Sequence, residues 1–371
     1  MNDTRSDLYI GVMSGTSHDG IDAALIEFHG STLRLVATAY SPFTHELRTK
    51  LLKFNRTDTP CLLDEVLPAG REFSAAVANT VQSLLSDTEL QPDSITAIGC
   101  HGHTLRHQPD GEYGYSYQLI DGAALAVSSN IPVVCDFRSA DIALGGTGAP
   151  LAPAFHQFSF HSPDENRVIL NIGGISNITL LGAAKDTIRG FDTGPGNLLM
   201  DFWMERHFGQ RYDNLGNIAR QGTVNKALLQ QLLTHPFFST PPPKSTGREA
   251  FNGTWLLEQG VSDFDRHDIM ATLVELTATT VATAISWSEL TPGTILVCGG
   301  GSHNNYLIDR IAALATPWKL ETTAVLGLDA DWVEAAAFAW LAQQRWQQQP
   351  GNLPNVTGAR RDAILGAVYL P

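Results

Sequence analysis

The sequence predicts a two-lobed, soluble α/β protein, and three observations carry that prediction. Its 371 residues exceed what one ordinary hydrophobic core fills. A strand, a glycine-rich turn and a second strand occur at 9–28 and again at 167–182, about half the chain apart. Each copy is followed by further strands and helices, so the repeat is a mixed α/β unit rather than a short-period solenoid. The boundary is expected within 140–166, where "ALGGTGAPLAPAF" and "HSPDEN" concentrate glycine, proline and polar residues. The expected lobes are 1–140 and 141–371, with the C-terminal segment packing back on the first.

The elements follow from local pattern. Residues 9–13 and 21–28 are apolar runs on either side of "SGTSHDG" and read as two strands joined by a turn. "STLRLVATAYSPF" alternates at Leu33, Leu35 and Ala37 and reads as a third strand. From Gly70, Phe73, Val77, Val81 and Leu84 recur at helical spacing. "ITAIGCHGHT" reads as a buried strand running into a polar loop, "GAALAVSSN" as a helix and "IPVVCDF" as a strand. In the second half, "RVILNIGGISNITLLG" repeats strand, turn and strand, and "TIRGFDTGPGN" is a strand ending in a glycine-rich loop. Helices are expected at 198–208, 224–233 and 269–289. "TILVCGGGSHNN" is a strand entering a triple-glycine turn, followed by a helix through Leu314. "DWVEAAAFAWLAQQRW" is a helix, and "STPPPKSTG" (239–247) reads as a surface loop.

Composition excludes several function classes. The formal charge is 24 − 38 = −14 with no Lys/Arg block, which disfavours nucleic acid and anionic membranes as partners. The four cysteines form no C-x-x-C pair and no zinc spacing, which points to a reducing compartment. "MNDTRSDLYIG" lacks the apolar region of a signal peptide, and no apolar run approaches the roughly 20 residues that span a membrane. A cytoplasmic enzyme or binding protein is the expectation.

Glycine turns with hydroxyls suit phosphate, because backbone N–H groups can approach it without a Cβ in the way. "SGTSHDG", "NIGGISN" and "CGGGSHN" are three such turns. Each alone is more often a plain hairpin. None is a Walker A motif, and the first leads into a strand rather than the helix of a dinucleotide fingerprint. Asp192, where a strand meets "TGPGN", is a candidate base, or else a carboxylate that merely ties down the turn.

Taken in order, "GVMSGTSHDGID", "HGHT", "GAPLAPAFH", "LNIGGISNITLL", "GFDTGPGNLLMD", "KSTGREAFN", "VCGGGSHN" and "EAAAFAWLA" resemble the anhydro-N-acetylmuramic acid kinases nearly end to end. That family lies within the actin/hexokinase/Hsp70 nucleotide-binding superfamily. The resemblance implies a duplicated ribonuclease H-like fold with a cleft between the lobes. It also implies a Mg²⁺- and ATP-dependent kinase that opens the 1,6-anhydro bridge of its sugar with water and phosphorylates O6, in cell-wall recycling. It implies a homodimer as well.

Carried over residue by residue, the resemblance makes Asp192 the catalytic base. Gly15, Thr16, Ser17, Asp19, Gly20 and Asp22 cradle phosphates, with Asp19 or Asp22 on Mg²⁺ through water. Gly173 and Gly174 form the second phosphate loop, and Gly299, Gly300, Gly301 and Asn304 shape the nucleoside pocket. His101, Arg138, Gly194, Asn197 and Glu334 are the sugar contacts, Arg138 because a guanidinium fork grips the lactyl carboxylate. Lys244 and Arg248 receive no role. Four departures from the family pattern stand out: "DFRSAD" lacks two usual arginines, His103 and Thr147 replace glutamines, and His18 replaces an apolar residue. They bear on substrate fit more than on reaction class. The alternatives are a kinase of this fold for another sugar or carboxylate, and a nucleotide-responsive binding protein with little catalysis.

Overall fold

A computed structural model of the chain describes residues 7–15, 18–56, 60–184 and 188–371. They divide into two compact units, Met1–Ser159 with Trp332–Pro371, and Phe160–Asp331. The first begins with β1 (Leu8–Met13), β2 (Gly20–His29), β3 (Thr32–Pro42), α1 (His45–Asn55) and α2 (Leu63–Ser86). It continues with β4 (Ala97–Cys100), β5 (His103–Gln108), β6 (Tyr115–Leu119), α3 (Gly122–Ser129), β7 (Val133–Cys135), α4 (Ser139–Ala143) and α5 (Ala152–Phe160). The second unit holds β8 (Arg167–Ile172), β9 (Ile175–Leu181), β10 (Arg189–Pro195), α6 (Leu198–Phe208), α7 (Lys226–Leu232), α8 (Pro236–Ser239) and α9 (Gly253–Glu258). Then come α10 (Arg266–Ser286), β11 (Thr294–Cys298), α11 (Asn305–Leu314) and β12 (Lys319–Thr322). The chain returns to the first unit with α12 (Val333–Trp346), α13 (Pro354–Thr357) and β13 (Ala367–Tyr369).

The two main sheets share one topology. The first runs β13-β7-β4-β1-β2-β3 and the second β10-β9-β8-β11-β12. In the first, β1 pairs antiparallel with β2 and parallel with β4, β2 is antiparallel to β3, and β4 is parallel to β7. In the second, β8 pairs antiparallel with β9 and parallel with β11, β9 is antiparallel to β10, and β11 is parallel to β12. Same order and same sense make this the duplicated ribonuclease H-like unit. The central strands are apolar along their whole length because both faces are covered: every residue of β11, and all of β1 but Met13, is buried. Gly11 and Gly99 let α12 lie directly on β1 and β4, since a Cβ on either would strike the Ala335 or Phe338 carbonyl.

Some elements differ from the sequence reading. The helix expected from Gly70 begins at Leu63, because α2 runs through Pro68, which reads as a breaker. The polar stretch after β4 is a strand, β5, which pairs with β6 in a separate two-stranded ribbon. α10 is long and apolar enough to cross a membrane by length and composition. Yet 78% of its most apolar window is buried inside the protein, as befits the central helix of the second core. The unit boundary falls at 159/160 rather than 140/141, and residues 332–371 belong to the first unit. The fully buried Asp141 supplies the reason. Its carboxylate accepts from Gly148 N at 2.8 Å, Asn352 Nδ2 at 2.7 Å and the Thr357 hydroxyl at 2.8 Å, tying 141–148 to the C-terminal segment.

Candidate active site

In the second unit β8, β10 and β11 run the same way, so their C-terminal ends meet at one end of the sheet, the usual place for ligand loops in such folds. The β8–β9 turn, Gly173-Gly174, interlocks there with the start of α6. Asn197 N donates to Gly173 O at 2.8 Å, and Gly196 N and Leu198 N donate to Gly174 O at 2.9 and 3.1 Å. Asn197 Nδ2 reaches Ile172 O at 3.3 Å. The triple-glycine turn after β11 sits against the same strand end, for a Cβ on Gly299 would strike Asn171 and one on Gly301 would strike Ile172.

Glycine has different causes at these positions. Gly299 and Gly301 are required by packing, and Gly299 also by its φ of +80°. Gly300 has nothing within 4 Å of where a Cβ would stand, Gly173 only Ile175 O at 3.5 Å, and Gly174 only the Arg248 guanidinium at 3.9 Å and Leu198 at 4.0 Å. Nothing in the described protein demands glycine at these three, so packing does not account for them. Gly194 is a structural glycine at a bulge in β10, with φ +140° and Phe238 2.7 Å from its missing Cβ. Asn304 caps α11, its Oδ1 accepting from Leu307 N at 3.0 Å.

Asp192 lies inside β10, an edge strand, opposite Asn177 and just before the bulge. The segment expected to be a surface loop runs along that edge. Asp192 N donates to Lys244 O at 3.1 Å, and Thr246 N donates to Asp192 Oδ2 at 2.9 Å. Asp192 Oδ1 has no hydrogen-bond partner among the described residues. Burial pushes the half-buried carboxyl up to about 6; the Thr246 N–H opposes the rise, the Glu249 charge adds to it and the Lys244 charge opposes it. A carboxylate held by one oxygen, with its other oxygen available and a pKa near neutrality, suits a general base.

In the first unit, Ser14, Gly15, His18 and Asp19 follow β1, His101 follows β4 and Arg138 follows β7, all at the same end of three parallel strands. Thr16 and Ser17 lie outside the described residues. Ser14 Oγ is 3.0 Å from His103 Nδ1, and Asn55 Nδ2 is 3.1 Å from His18 Nε2 and 3.4 Å from His103 Nε2. The two rings stand 4.8 Å apart. An amide donating to both Nε2 atoms places the ring protons on Nδ1, so His103 donates to Ser14. Burial, with a smaller push from His18, lowers His103 to about 3, so the ring stays neutral. The departures His18 and His103 are thus partners in one network that braces the first turn against α1 and β5. Gly20 is a packing glycine, its missing Cβ 2.5 Å from Ser41 O. Gly15 accepts at its carbonyl from His18 N at 3.4 Å.

Asp19 is exposed and Asp22 half-buried. Among the described residues no three His, Cys, Asp or Glu side chains converge as an all-protein metal site. Mg²⁺ carried by substrate phosphates needs only one or two carboxylates, and two hard oxygen donors flanking Gly20 fit that use.

Arg138 Nη2 donates to His101 Nε2 at 2.8 Å, and its Nη1 donates to Gly148 O at 2.7 Å. Because arginine only donates, His101 must accept, and its ring is neutral. Burial, then the Arg138 charge and His103, holds His101 well below its ordinary value. Burial lowers Arg138 to about 10, opposed by the charges of Glu334 and Asp141, so it remains a cation. Glu334 is exposed in the first turn of α12. Three of the expected sugar contacts therefore influence one another in one unit.

Sequence reasoning missed Asn55, Thr246 and the anchor role of Asp141. Nothing local marks Asn55, which acts across 37 and 48 residues of chain. The motif "KSTGRE" was the available signal for Thr246. It also places Lys244 and Arg248, the first beside Asp192 and the second beside Gly174.

The family model for anhydro-N-acetylmuramic acid kinase matches residues 7–371. An anhydro-N-acetylmuramic acid kinase of Coxiella burnetii is 46% identical over 367 residues, covering 97% of each chain. One of Nitrosomonas europaea is 46% identical over 361 residues, covering 97% of this chain and 99% of its own. A ROK family glucokinase from Streptomyces griseus, solved with glucose and AMPPNP, aligns over 91% of this chain and 99% of its own at 14% identity and a TM-score of 0.42. Family membership rests on the sequence match rather than on this structural likeness. Matched from residue 7 to residue 371, the chain belongs to the anhydro-N-acetylmuramic acid kinase family.

Proposed function

We propose that this ATP-dependent sugar kinase opens the 1,6-anhydro bridge of anhydro-N-acetylmuramic acid with water and transfers the γ-phosphoryl of ATP to the freed O6. The products are N-acetylmuramic acid 6-phosphate and ADP, a step in cell-wall recycling. The observation that carries the hydrolytic half is Asp192, with Oδ2 held by Thr246 N and Oδ1 unengaged by the described residues. Asp192 takes a proton from water as the water oxygen bonds to C1. The C1–O6 bond breaks, and O6 takes the phosphoryl group as ADP leaves. A base near pKa 6 is deprotonated at neutral pH yet still basic enough for this task.

Gly300, with open space where a Cβ would stand, and Gly173 and Gly174, with nothing closer there than 3.5 Å, present backbone to the nucleotide. Mg²⁺, held through water by Asp19 or Asp22, would supply charge neutralisation on the phosphates. Arg138, fixed by His101 and Gly148, meets the sugar carboxylate. Cys61, Cys100, Cys135 and Cys298, all thiols rather than disulfides, agree with a cytoplasmic location.

The test is incubation with ATP, Mg²⁺ and the anhydro sugar in H₂¹⁸O, with mass spectrometry of the product. Label is expected on C1, with the sugar's own O6 in the phosphate ester. Label in inorganic phosphate with the bridge intact would overturn bridge opening. Turnover only with a different sugar would reassign the substrate.

A further inference from the structure

The second unit contains a cavity of about 210 Å³ whose lining includes none of the residues assigned to the reaction. Thr193, the residue at the bulge in β10 between Asp192 and Gly194, lines it. α10 supplies Thr279, Thr280 and Thr283, and Trp287 follows its C-terminus; Leu233, Phe238 and Ser239 come from the α7–α8 region, and Lys244 from the segment that holds Asp192.

The wall chemistry selects an occupant. Thr193, Ser239, Thr280 and Thr283 each donate their hydroxyl proton to a backbone carbonyl. They offer a ligand methyl groups, methylene and lone pairs, not donors. Lys244 is the one charged residue in the lining. Its ammonium donates to Phe237 O at 3.0 Å and stands 4.3 Å from the Phe237 ring centre and 4.7 Å from that of Trp287. It is a partly desolvated cation with donors to spare, since an ammonium carries three protons. Burial lowers its pKa and the Asp192 charge opposes that. A cavity of about 150 Å³ accepts benzene, so this one has room for a ring and a small head group.

We propose that this cavity is an accessory binding site for a small amphipathic anion, with an apolar body of about one ring against Phe238, Leu233 and Trp287 and a single anionic group on Lys244. None of the lining residues carries a role in the sugar reaction proposed above.

Calorimetric titration with benzoate, and with benzamide as its neutral isostere, tests it. Benzoate should bind the wild-type protein, and benzamide at least about tenfold more weakly. Lys244→Met should weaken benzoate at least about tenfold and leave benzamide nearly unchanged. Thr283→Tyr, at an exposed rim position with little risk to folding, should weaken both probes. Circular dichroism melting checks each variant. No benzoate binding by the wild type up to about 20 mM overturns the proposal. So does equal benzoate affinity in Lys244→Met, or binding untouched by Thr283→Tyr.

Discussion

The backbone N–H of Thr246 donates to Oδ2 of Asp192 across 54 residues of chain, at 2.9 Å. One oxygen of the carboxylate is fixed and the other is left to act. The partner is main chain, so the clamp does not depend on any side chain of the "KST" segment.

That geometry predicts the effect of Asp192→Asn. Asparagine keeps an acceptor for Thr246 but is no base. Turnover should fall by roughly 10²-fold or more, with ATP and sugar dissociation constants changed little. Rapid-quench turnover and calorimetry check both parts. A near-normal rate would leave Asp192 as a turn-tying residue.

Asp192 also sets a pH dependence. Its folded pKa, about 6, lies above the ordinary 3.8, so the neutral form is favoured in the fold. The associated stability is fully present below about 3.8 and lost as pH rises through about 6. Such a shift corresponds to on the order of 2–3 kcal/mol. Asp192→Asn should therefore melt above wild type at pH 8 and match it near pH 3.5. The wild-type rate should fall as pH drops through 6. Melting temperatures in parallel at the two pH values, with a pH–rate profile, test this.

The triple-glycine turn separates binding from folding. Gly300→Val should keep the melting temperature and weaken an ATP analogue at least about tenfold. Gly299→Ala and Gly301→Ala should lower stability, because their Cβ atoms meet Asn171 and Ile172. Unchanged nucleotide affinity in Gly300→Val would remove this turn from the nucleotide site.

Arg138→Lys replaces a fork held by two acceptors with a point charge. KM for the sugar should rise about tenfold or more while KM for ATP stays put. Equal changes in both would indicate a purely structural residue.

Asp141→Ala should cost at least about 3 kcal/mol in denaturant unfolding, since it strands the Gly148 N–H and leaves the Asn352 amide and the Thr357 hydroxyl only their 3.4 Å contacts with Arg361 O and Leu353 O. A midpoint close to wild type would dismiss the anchor.

By itself, the sequence determined the repeated strand–turn–strand unit, the helix over 198–208, the helix ending at Leu314 and the glycine turns. These are local signals: apolar runs, helical periodicity and glycine clusters report on neighbours a few residues away. Tertiary structure alone decided where the first unit ends, because that depends on Asp141 reaching Asn352 and Thr357, 211 and 216 residues on. It decided which glycines packing demands and which it does not, since the difference lies in what stands opposite an absent Cβ. It also decided that "KST" is the brace of Asp192 rather than a plain surface loop, because the free edge of β10 has backbone groups that some distant segment must satisfy. No periodicity records which segment that will be.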